Sequence, residues 1–329
     1  MENYSTYRTA ESVSPKHPDK LCDQISDAVL DAYLAQDPNA RVAVEVCGGH
    51  GQVFVTGEIT STATNINIDA IVHRIAGDNM KVMSNLVKQS PEIAQGVDVG
   101  GAGDQGIMIG YACSETPEML PREVVLSRRL NQYIYNLHQF DGKTQITLHG
   151  SHVCSIVASF QNVSQETLQQ LVQQFIIEHD LEPDQRNGKI ELHLNPAGDW
   201  HQGGFEADTG LTGRKLIVDN YGPRIPIGGG AFSGKDPSKV DRSAAYMARR
   251  IAVDYLRERN ADEVFVRLAY AIGHPEALEQ TVIIDGKSEK ITGYDLTPQG
   301  IIDFLNLKRP IYEPTARYGH FGEGFNWDK

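Results

Sequence analysis

Residues 229–235, with the sequence GGAFSGK, have the G-x-x-x-x-G-K spacing of a loop that binds phosphate. Backbone N–H groups exposed by glycine, the ammonium groups of Lys235 and Lys239, and a helix predicted to follow all favour a bound polyanion. The next residue is Asp236, where the strict P-loop has a Ser or Thr hydroxyl for magnesium. We therefore interpret the segment as a phosphate-binding loop of a different kind. The alternative is a simple turn before a basic helix.

The sequence HPDK at residues 17–20 places an imidazole, a carboxylate and an ammonium group at the start of a predicted helix. These groups indicate a magnesium carboxylate, Asp19, beside a cation that faces phosphate. Alternatively, Asp19 only stabilises the N-terminus of the helix. None of the eleven histidines belongs to a zinc motif such as HExxH.

Residues 101–106 satisfy the G-x-G-x-x-G fingerprint of dinucleotide-binding folds. That fingerprint requires a strand before it and a helix after it. Here a glycine-rich loop precedes the motif, and residues 107–112 have the pattern of a strand. The match therefore does not predict a dinucleotide site.

The composition of the 329 residues limits the class of protein. Hydrophobic residues make up 40% and charged residues 22%, as in a globular protein of about two domains. No apolar run predicts a membrane span, and the first residues have neither the basic nor the apolar part of a signal peptide. The four cysteines form no CxxC pair, which is typical of a reducing compartment. We therefore expect a cytoplasmic protein that does not bind a membrane.

Charge is distributed unevenly along the chain. In total, 30 basic and 43 acidic residues give a net charge of −13, which argues against nucleic acid as a partner. Residues 214–250, in contrast, contain eight basic and three acidic side chains. This local excess of positive charge indicates a site for a small polyanion, unless the side chains only form a solvated helix face.

The spacing of apolar residues predicts an alternation of helices and strands. Helices are expected at about 18–36, 67–76, 122–138, 165–179, 242–259 and 297–306, with Ser14 as candidate cap of the first. Strands are expected at 41–47, 52–59, 106–113, 143–148, 153–160, 190–194, 215–219, 263–271 and 280–284. Close strand pairs recur about three times between helices, which favours an α+β fold over a doubly wound parallel sheet. Residues 89–105 are rich in glycine and predict a mobile loop, which is either functional or disordered.

Several motifs, in unchanged order, resemble those of methionine adenosyltransferase, the S-adenosylmethionine synthetase. They are HPDK at 17–20 with DQISD at 23–27, GDQG at 103–106, GLTGRK at 210–215 and GGGAFSGKDPSKVDRS at 228–243. Segments 89–96 and 318–321 are also similar, so the resemblance extends from about residue 11 to 327. It implies three similar strand/helix domains around a pseudo-threefold axis, with approximate bounds 1–100, 101–205 and 206–329.

The family joins the sulfur of methionine to C5′ of ATP, expels the triphosphate and hydrolyses it to phosphate and pyrophosphate. Because the thioether is a neutral nucleophile, catalysis depends on positioning and on stabilising the leaving polyanion. The resemblance implies that His17 contacts the oxygen between C5′ and phosphorus, where charge develops. The catalytic residues that it implies are His17, Lys143, Arg214, Lys215 and Lys235.

The resemblance implies further ligand contacts. The ATP site would consist of the catalytic residues together with Asp104, Asp141, Asp199, Trp200, Asp208 and Ala231. The methionine site would consist of Glu58, Gln89, Asp208 and Lys239, with Lys239 bound to the methionine carboxylate. The expected metal ligands are Asp19 and Asp241 for Mg²⁺ and Glu45 for K⁺, although a strand glutamate is often merely exposed. Residues 89 to about 101 would form a gate loop that closes over the substrates. The family also shares active sites between two subunits, which implies a homodimer and leaves a tetramer open.

The chain departs from the family pattern in several places. The sequence GDW at 198–200 replaces the usual GRF, so Trp200 offers adenine a larger ring while Asp199 reverses the charge near the nucleotide. The sequence PK at 15–16 replaces the usual EG, and both the gate loop and the segment between residues 111 and 143 are shorter than usual. We expect an active enzyme with a less enclosed site and looser substrate selection.

Two other functions remain open at this point. A phosphotransferase with a P-loop-like site would produce ADP and no sulfonium, and Asp236 argues against it. A non-catalytic relative would bind nucleotide or regulate a partner. The charged phosphate-facing positions are intact except at Asp199, which argues against that second alternative.

Overall fold

A computed structural model describes residues 7–89, 100–186 and 188–329. Within these ranges the chain forms twelve strands and eight α-helices. The strands are β1 (Tyr7–Val13), β2 (Arg41–Gly49), β3 (Gln52–Thr60), β4 (Lys81–Val87), β5 (Gly106–Cys113), β6 (Gly142–His149), β7 (His152–Phe160), β8 (Glu191–Leu194), β9 (Gly210–Leu211), β10 (Glu263–Tyr270), β11 (Glu279–Ile284) and β12 (Lys287–Lys290). The helices are α1 (Pro18–Gln36), α2 (Ile68–Ala76), α3 (Arg122–Leu137), α4 (Gln165–Glu178), α5 (Leu216–Asp219), α6 (Val240–Arg259), α7 (Pro298–Leu305) and α8 (Thr315–Tyr318).

The strands form three sheets of four strands each, in the orders β4-β3-β2-β9, β1-β6-β7-β8 and β12-β11-β10-β5. The first two sheets pack against helices α1 and α2 and helices α3 and α4, respectively. The third sheet packs against α6, and α7 packs on α6. Each sheet also contains one strand from a distant part of the chain: β9, β1 and β5. The fold is therefore the expected α+β arrangement of three similar strand/helix units, joined by strands that pass from one unit to another.

Helix α1 lies at the centre of the site described below. Its apolar residues at positions 21, 25 and 29 repeat at four-residue spacing and are buried against the sheet β4-β3-β2-β9. The helix begins after His17, whose ring Nδ1 accepts the backbone N–H of Asp19 at 3.2 Å. Ser14 does not cap this helix, because its hydroxyl accepts the N–H groups of Lys16 and Gly142 instead. The prediction of Ser14 as the cap was wrong.

Residues 215–219 do not form the predicted strand. They form the short helix α5, in which the N–H of Asp219 donates to the carbonyl of Lys215 at 2.9 Å. The Asp219 carboxylate accepts a bond of 2.6 Å from the buried ammonium of Lys20, and this tertiary contact outweighs the strand preference of Ile217 and Val218. The other predicted elements occur within two residues of their expected bounds. Strands β1, β4, β9 and β12 had not been predicted.

The cores follow from this arrangement. One apolar cluster fills the space between α1, α6 and two of the sheets, and a second lies between the sheet β1-β6-β7-β8 and helices α3 and α4. In the part of the chain that the structure describes, no helix combines the length and the apolar character needed to cross a membrane.

Asp31 on α1 gives a prediction about stability and pH. Burial raises the pKa of Asp31 to about 6, although its carboxylate accepts the N–H groups of Tyr312 and Glu313. A carboxyl group whose pKa is raised by folding stabilises the fold at low pH and loses this contribution as pH rises from about 4 through 6. Asp31→Asn is therefore expected to gain about 1.4 kcal/mol of stability relative to wild type as the pH rises from 5 to 8. Thermal unfolding followed by circular dichroism at both pH values measures this, and an equal difference at the two would contradict it.

Candidate active site

The first basic cluster, defined as His17, Asp19, Arg214 and Lys215, joins the start of α1 to the segment after β9. Asp19 is fully buried; its Oδ2 accepts Lys215 Nζ at 2.6 Å, and its Oδ1 forms an ion pair with Arg214 Nε at 2.9 Å. Oδ1 also accepts the backbone N–H of Leu211 at 3.0 Å. Burial alone would favour the neutral form, but the bonds from Lys215 and Leu211 hold the pKa of Asp19 below its ordinary value. Asp19 is therefore a charged carboxylate that binds basic side chains and does more than stabilise a helix end.

His17 is a neutral imidazole in this cluster. Burial, followed by the positive charges of Lys215 and Lys143, lowers the pKa of His17 to about 3. Because Nδ1 accepts the N–H of Asp19, the ring proton is carried by Nε2. His17 therefore presents one N–H donor, and it stays uncharged throughout the physiological pH range.

The central part of the chain adds groups beside His17. Lys143 on β6 lies opposite Ser159 on β7, and the Trp200 Nε1–H donates to the Ser159 hydroxyl at 3.1 Å. Asp141 is buried and accepts the N–H of Gly204 at 2.9 Å. Burial raises the pKa of Asp141, the positive charge of Lys143 opposes this, and the negative charge of Asp208 adds to it. The structure thus brings Lys143, Asp141, Trp200 and Asp208 together near the first basic cluster.

Asp199 stands where the family usually has an arginine, and its carboxylate has local partners. Its Oδ1 accepts the backbone N–H of Gln165, the first residue of α4, at 3.0 Å and the Nδ2–H of Asn195 at 2.9 Å. A negative charge is favoured at a helix N-terminus. The reversed charge at this position is therefore accommodated by the start of α4.

The second basic cluster, defined as Lys235, Lys239 and Asp241, lies at the start of α6. Lys235 Nζ donates to Asp241 Oδ2 at 2.7 Å, and Lys239 Nζ donates to Asp236. These side chains border a cavity of about 150 Å³ that is lined by Arg41, Gln89, Gly103, Asp104, Lys235, Ser238, Lys239 and Asp241. Gln89 Oε1 is buried and has no hydrogen-bond partner among residues 7–89, 100–186 and 188–329, which suits a donor group from a ligand.

The sheet β4-β3-β2-β9 places Glu58 and Glu45 near this cavity. Ala43 on β2 forms a bridge with Lys235 on one side and pairs with Glu58 of β3 on the other, and Glu58 pairs with Val87 of β4. Glu45 lies on the same outward face as Ala43, two residues further along β2, with an exposed side chain. Glu58, Glu45 and Lys235 therefore occupy one end of this face.

The loop 229–235 differs from a P-loop in structure as well as in sequence. Asp236 is buried, and its carboxylate accepts the N–H groups of Val42 at 2.6 Å and Ser238 at 2.8 Å. Its role is therefore to hold β2 against the loop. Gly234 has φ +81°, and a Cβ there would lie 1.9 Å from the carbonyl oxygen of Val44, so only glycine fits. The predicted strand before the loop is the helix α5, which further weakens the interpretation as a P-loop phosphotransferase.

Of the remaining predicted residues, Ala231 lies beside the first basic cluster, whereas most of the gate loop is not described. A Cβ added at Gly213 would lie 2.6 Å from the Cβ of Ala231, so Ala231 packs against the turn before Arg214. Most of the predicted gate loop falls on residues 90–99, which lie outside the described residues.

Arg41 was not predicted, although it lines the same cavity as Lys235. An arginine that begins a strand carries no motif, so only the fold reveals it.

The carboxylates of Asp19 and Asp241 suit Mg²⁺, which is bound partly by substrate phosphates, better than they suit a metal held by protein ligands alone. Among residues 7–89, 100–186 and 188–329, no group of three or more His, Cys, Asp or Glu side chains is arranged to hold a metal ion. Mg²⁺ is usually bound through one or two carboxylates together with substrate phosphates. Asp19 and Asp241, each bound to a lysine in a basic cluster, provide such carboxylates.

Comparison with known proteins identifies the family of this chain. Residues 5–82, 99–200 and 202–329 match, respectively, the family models of the N-terminal, central and C-terminal domains of S-adenosylmethionine synthetase. A protein of Treponema denticola named S-adenosylmethionine synthase is 43% identical over 381 residues, covering 100% of this chain and 97% of that protein. Proteins of the same name from Salinibacter ruber and Thermus thermophilus are 41% and 40% identical, each covering 98% of this chain and 95% of the relative. With all three domain models matched in order along its length, the chain belongs to the S-adenosylmethionine synthetase family.

Proposed function

We propose that this chain is a methionine adenosyltransferase that makes S-adenosylmethionine from ATP and L-methionine. In the proposed reaction the methionine sulfur attacks C5′ of ATP, the C5′–O bond breaks, and the triphosphate leaves and is hydrolysed to phosphate and pyrophosphate. The observation that carries the proposal is the convergence of Lys143, Arg214 and Lys215 around a neutral His17. Such a site stabilises a leaving polyanion without providing a strong base, and the thioether nucleophile needs none.

The residues of the first basic cluster have distinct roles in this proposal. The Nε2–H of His17 donates a hydrogen bond to the oxygen that leaves C5′, and its low pKa keeps the ring from taking a proton instead. Lys143, Arg214 and Lys215 bind the triphosphate oxygens. Trp200 provides a platform for adenine. Asp104, Asp141, Asp199, Asp208 and Ala231 complete the proposed ATP site.

Mg²⁺ and K⁺ are the proposed cofactors. Asp19 and Asp241 would hold Mg²⁺, and Glu45 would hold K⁺ with a hard carboxylate oxygen. When bound, Mg²⁺ acts as a Lewis acid that neutralises charge on the triphosphate. Asp19 binds Lys215 and Asp241 binds Lys235, so each proposed Mg²⁺ carboxylate lies beside a lysine that would bind phosphate oxygens.

The methionine site is proposed at the cavity beside the second basic cluster. The unpartnered Oε1 of Gln89 and the carboxylate of Glu58 offer acceptors to the ammonium group of methionine. Lys239, whose ammonium donates to Asp236, offers a cation to the methionine carboxylate. Asp208 is the remaining proposed contact.

A homodimer with shared active sites is proposed from the outward face of the sheet β4-β3-β2-β9. One row across this face consists of Leu211, Cys47, Phe54 and Met83, which are neighbours in register. Leu211, Phe54 and Met83 are 43%, 38% and 41% exposed in the single chain, and a contiguous apolar row of this kind marks an interaction surface. We commit to a second copy as its occupant, because the row adjoins Glu45 and the end of the face where Lys235 and Glu58 lie.

The size of the cavity also supports a shared site. At about 150 Å³, the cavity beside Lys235 is smaller than the roughly 300–1,000 Å³ of most ligand pockets. A partner subunit that places its own first basic cluster over this cavity would complete a site for ATP and methionine together. We propose this arrangement as a dimer; a tetramer would be a pair of such dimers.

The proposed location is the cytoplasm. All four thiols are free, and two of them, Cys22 and Cys113, are buried. Unpaired cysteines suit a reducing compartment.

The function is tested by incubating the purified chain with ATP, methionine, Mg²⁺ and K⁺ and analysing the products by mass spectrometry. We expect S-adenosylmethionine together with phosphate and pyrophosphate, no product without Mg²⁺, and a lower rate without K⁺. ADP without a sulfonium product would support a phosphotransferase instead. Binding of ATP without turnover would support a non-catalytic relative.

A further inference from the structure

Four aspartates on α1 form what we call the aspartate row: Asp19, Asp23, Asp27 and Asp31. They are spaced four residues apart, so they succeed one another turn by turn along the helix. Each accepts a backbone N–H from the C-terminal part of the chain. The donors are Leu211 at 3.0 Å, Gly213 at 2.8 Å, Gly234 at 2.8 Å and, for Asp31, both Tyr312 and Glu313. Asp23 and Asp27 have no role in the function proposed above.

Asp23 holds the peptide that precedes Arg214 and Lys215. Its Oδ1 accepts the N–H of Gly213, and its Oδ2 accepts the fully buried ammonium of Lys20 at 3.0 Å. Lys20 Nζ also donates to Asp219, at the end of the short helix α5 that follows Lys215. The segment that carries the two basic residues is thus bound to α1 at both of its ends.

Asp27 holds the peptide that carries Lys235. Its carboxylate forms a bidentate pair with Arg242, at 2.6 Å and 2.9 Å, in which both side chains are fully buried. Asp27 Oδ1 accepts the N–H of Gly234, while Arg242 Nη1 donates to the carbonyl of Lys235 at 3.1 Å. The pair therefore binds the N–H of Gly234, the residue before Lys235, and the carbonyl of Lys235 itself.

We propose that Asp23 and Asp27 are positioning residues for the adenosyl transfer: Asp23 for Arg214 and Lys215, and Asp27, with Arg242, for Lys235. The inference rests on the function proposed above. Both glycines have positive φ, +77° at Gly213 and +81° at Gly234, so neither loop has a regular backbone to keep it in place. A lysine that binds a leaving phosphate must be held to within about 1 Å, because a displacement of that size costs roughly 100-fold in rate. Anchoring to α1 fixes Arg214 and Lys215 relative to His17 and Asp19 of the same subunit. It also fixes Lys235 for the site that this subunit would share with its partner.

A double-mutant cycle separates positioning from a merely structural role. We expect Asp27→Asn to lower kcat by about 10- to 100-fold, because the amide places a donor against Arg242 and loosens the Lys235 peptide. If Asp27 acts through Lys235, the same substitution in a Lys235→Met background lowers kcat by less than about twofold. The same loss in both backgrounds would overturn the proposal, because unfolding or a general defect affects both equally.

Asp31→Asn is the matched control, since Asp31 belongs to the same row but binds a segment that bears no proposed site residue. We expect it to change kcat by less than about twofold in either background.

A second cycle, Asp23→Asn with Lys215→Met, is expected to show the same coupling as that of Asp27 with Lys235. Additive losses there would exclude Asp23 as a positioning residue. If Asp27→Asn does not fold, Arg242→Lys keeps the charge and removes the bond to the Lys235 carbonyl.

Hydrogen exchange measured by mass spectrometry gives a readout that is independent of activity. We expect the amides of residues 228–239 to exchange faster in Asp27→Asn than in wild type or in Asp31→Asn. Unchanged exchange would overturn the role of Asp27 in holding this loop. A wild-type chain that makes no S-adenosylmethionine would instead refute the proposed function, and the exchange data would still report whether Asp27 holds the loop.

Discussion

Replacement of Lys235 by methionine is expected to reduce kcat for S-adenosylmethionine formation by about 10²- to 10³-fold, the usual cost of losing one preorganised donor to a developing anion. Lys235 is partly exposed, and its ammonium binds Asp241. Its carbonyl accepts Arg242 Nη1, and the backbones of its neighbours Gly234 and Asp236 bind Val44 and Val42, so none of these bonds involves the Lys235 side chain. The substitution therefore removes charge from the proposed triphosphate site without disturbing the loop. Single-turnover measurement of S-adenosylmethionine, with enzyme in excess, reports this step.

The fold of Lys235→Met is expected to be intact, with a thermal unfolding midpoint near that of wild type. Lys189→Met is a matched control, because Lys189 is exposed and belongs to neither basic cluster. It is expected to leave kcat unchanged within about twofold, as most surface substitutions do. Global unfolding of Lys235→Met would indicate that this lysine has a packing role, and full activity would remove it from the catalytic residues.

Replacement of Lys20 by methionine is expected to cause the largest loss of stability, about 3–5 kcal/mol. Lys20 is fully buried, and its ammonium lies between Asp23 at 3.0 Å and Asp219 at 2.6 Å. Removing it leaves two buried carboxylates without their cation. Thermal unfolding by circular dichroism, compared with wild type at pH 8, measures the loss.

The pH dependence of Lys20→Met follows from the same contacts. Burial already raises the pKa of Asp23 to about 6 and raises the pKa of Asp219, whereas the positive charge of Lys20 opposes both effects. Without Lys20 both carboxyl groups take up protons more readily in the folded state, so the stability deficit shrinks as pH falls from 8 to 5. The triple variant Lys20→Met, Asp23→Asn, Asp219→Asn is expected to recover much of the loss. A deficit that persists unchanged in the triple variant and at pH 5 would mean that packing, and not charge, is what Lys20 contributes.

The parts of the fold that the sequence predicted are those with a strong local signal. Helix α1 has apolar residues at regular spacing over 19 residues, and the hairpin of β2 and β3 has two alternating segments around a glycine turn. Segment 215–219 has the composition of a strand, but its conformation is set by the ion pair between Asp219 and Lys20, which is 199 residues away in sequence. Strand β9 has only two residues and exists because it pairs with Cys47 and Gly48.

The residues of the candidate site were predicted from motifs, but the motifs do not indicate which of these side chains bind one another. The sequence indicates that Asp19 and Asp241 are carboxylates near basic residues, but not that they bind Lys215 and Lys235. The four-residue spacing of the aspartate row is visible in the sequence, yet its backbone partners at Gly213 and Gly234 become apparent only in the folded chain. Arg41 at the cavity is likewise identified by the fold alone.

In the proposed dimer, the first basic cluster of one subunit and the second basic cluster of its partner form one catalytic site. Co-expression of Lys215→Met and Lys235→Met chains with different affinity tags, followed by tandem purification, isolates the mixed dimer. Each variant alone is expected to be nearly inactive, whereas the mixed dimer has one site with both lysines and should show about half of wild-type activity. A mixed dimer as inactive as its parents would mean that Lys215 and Lys235 serve the same site from within one chain, and would contradict the claim.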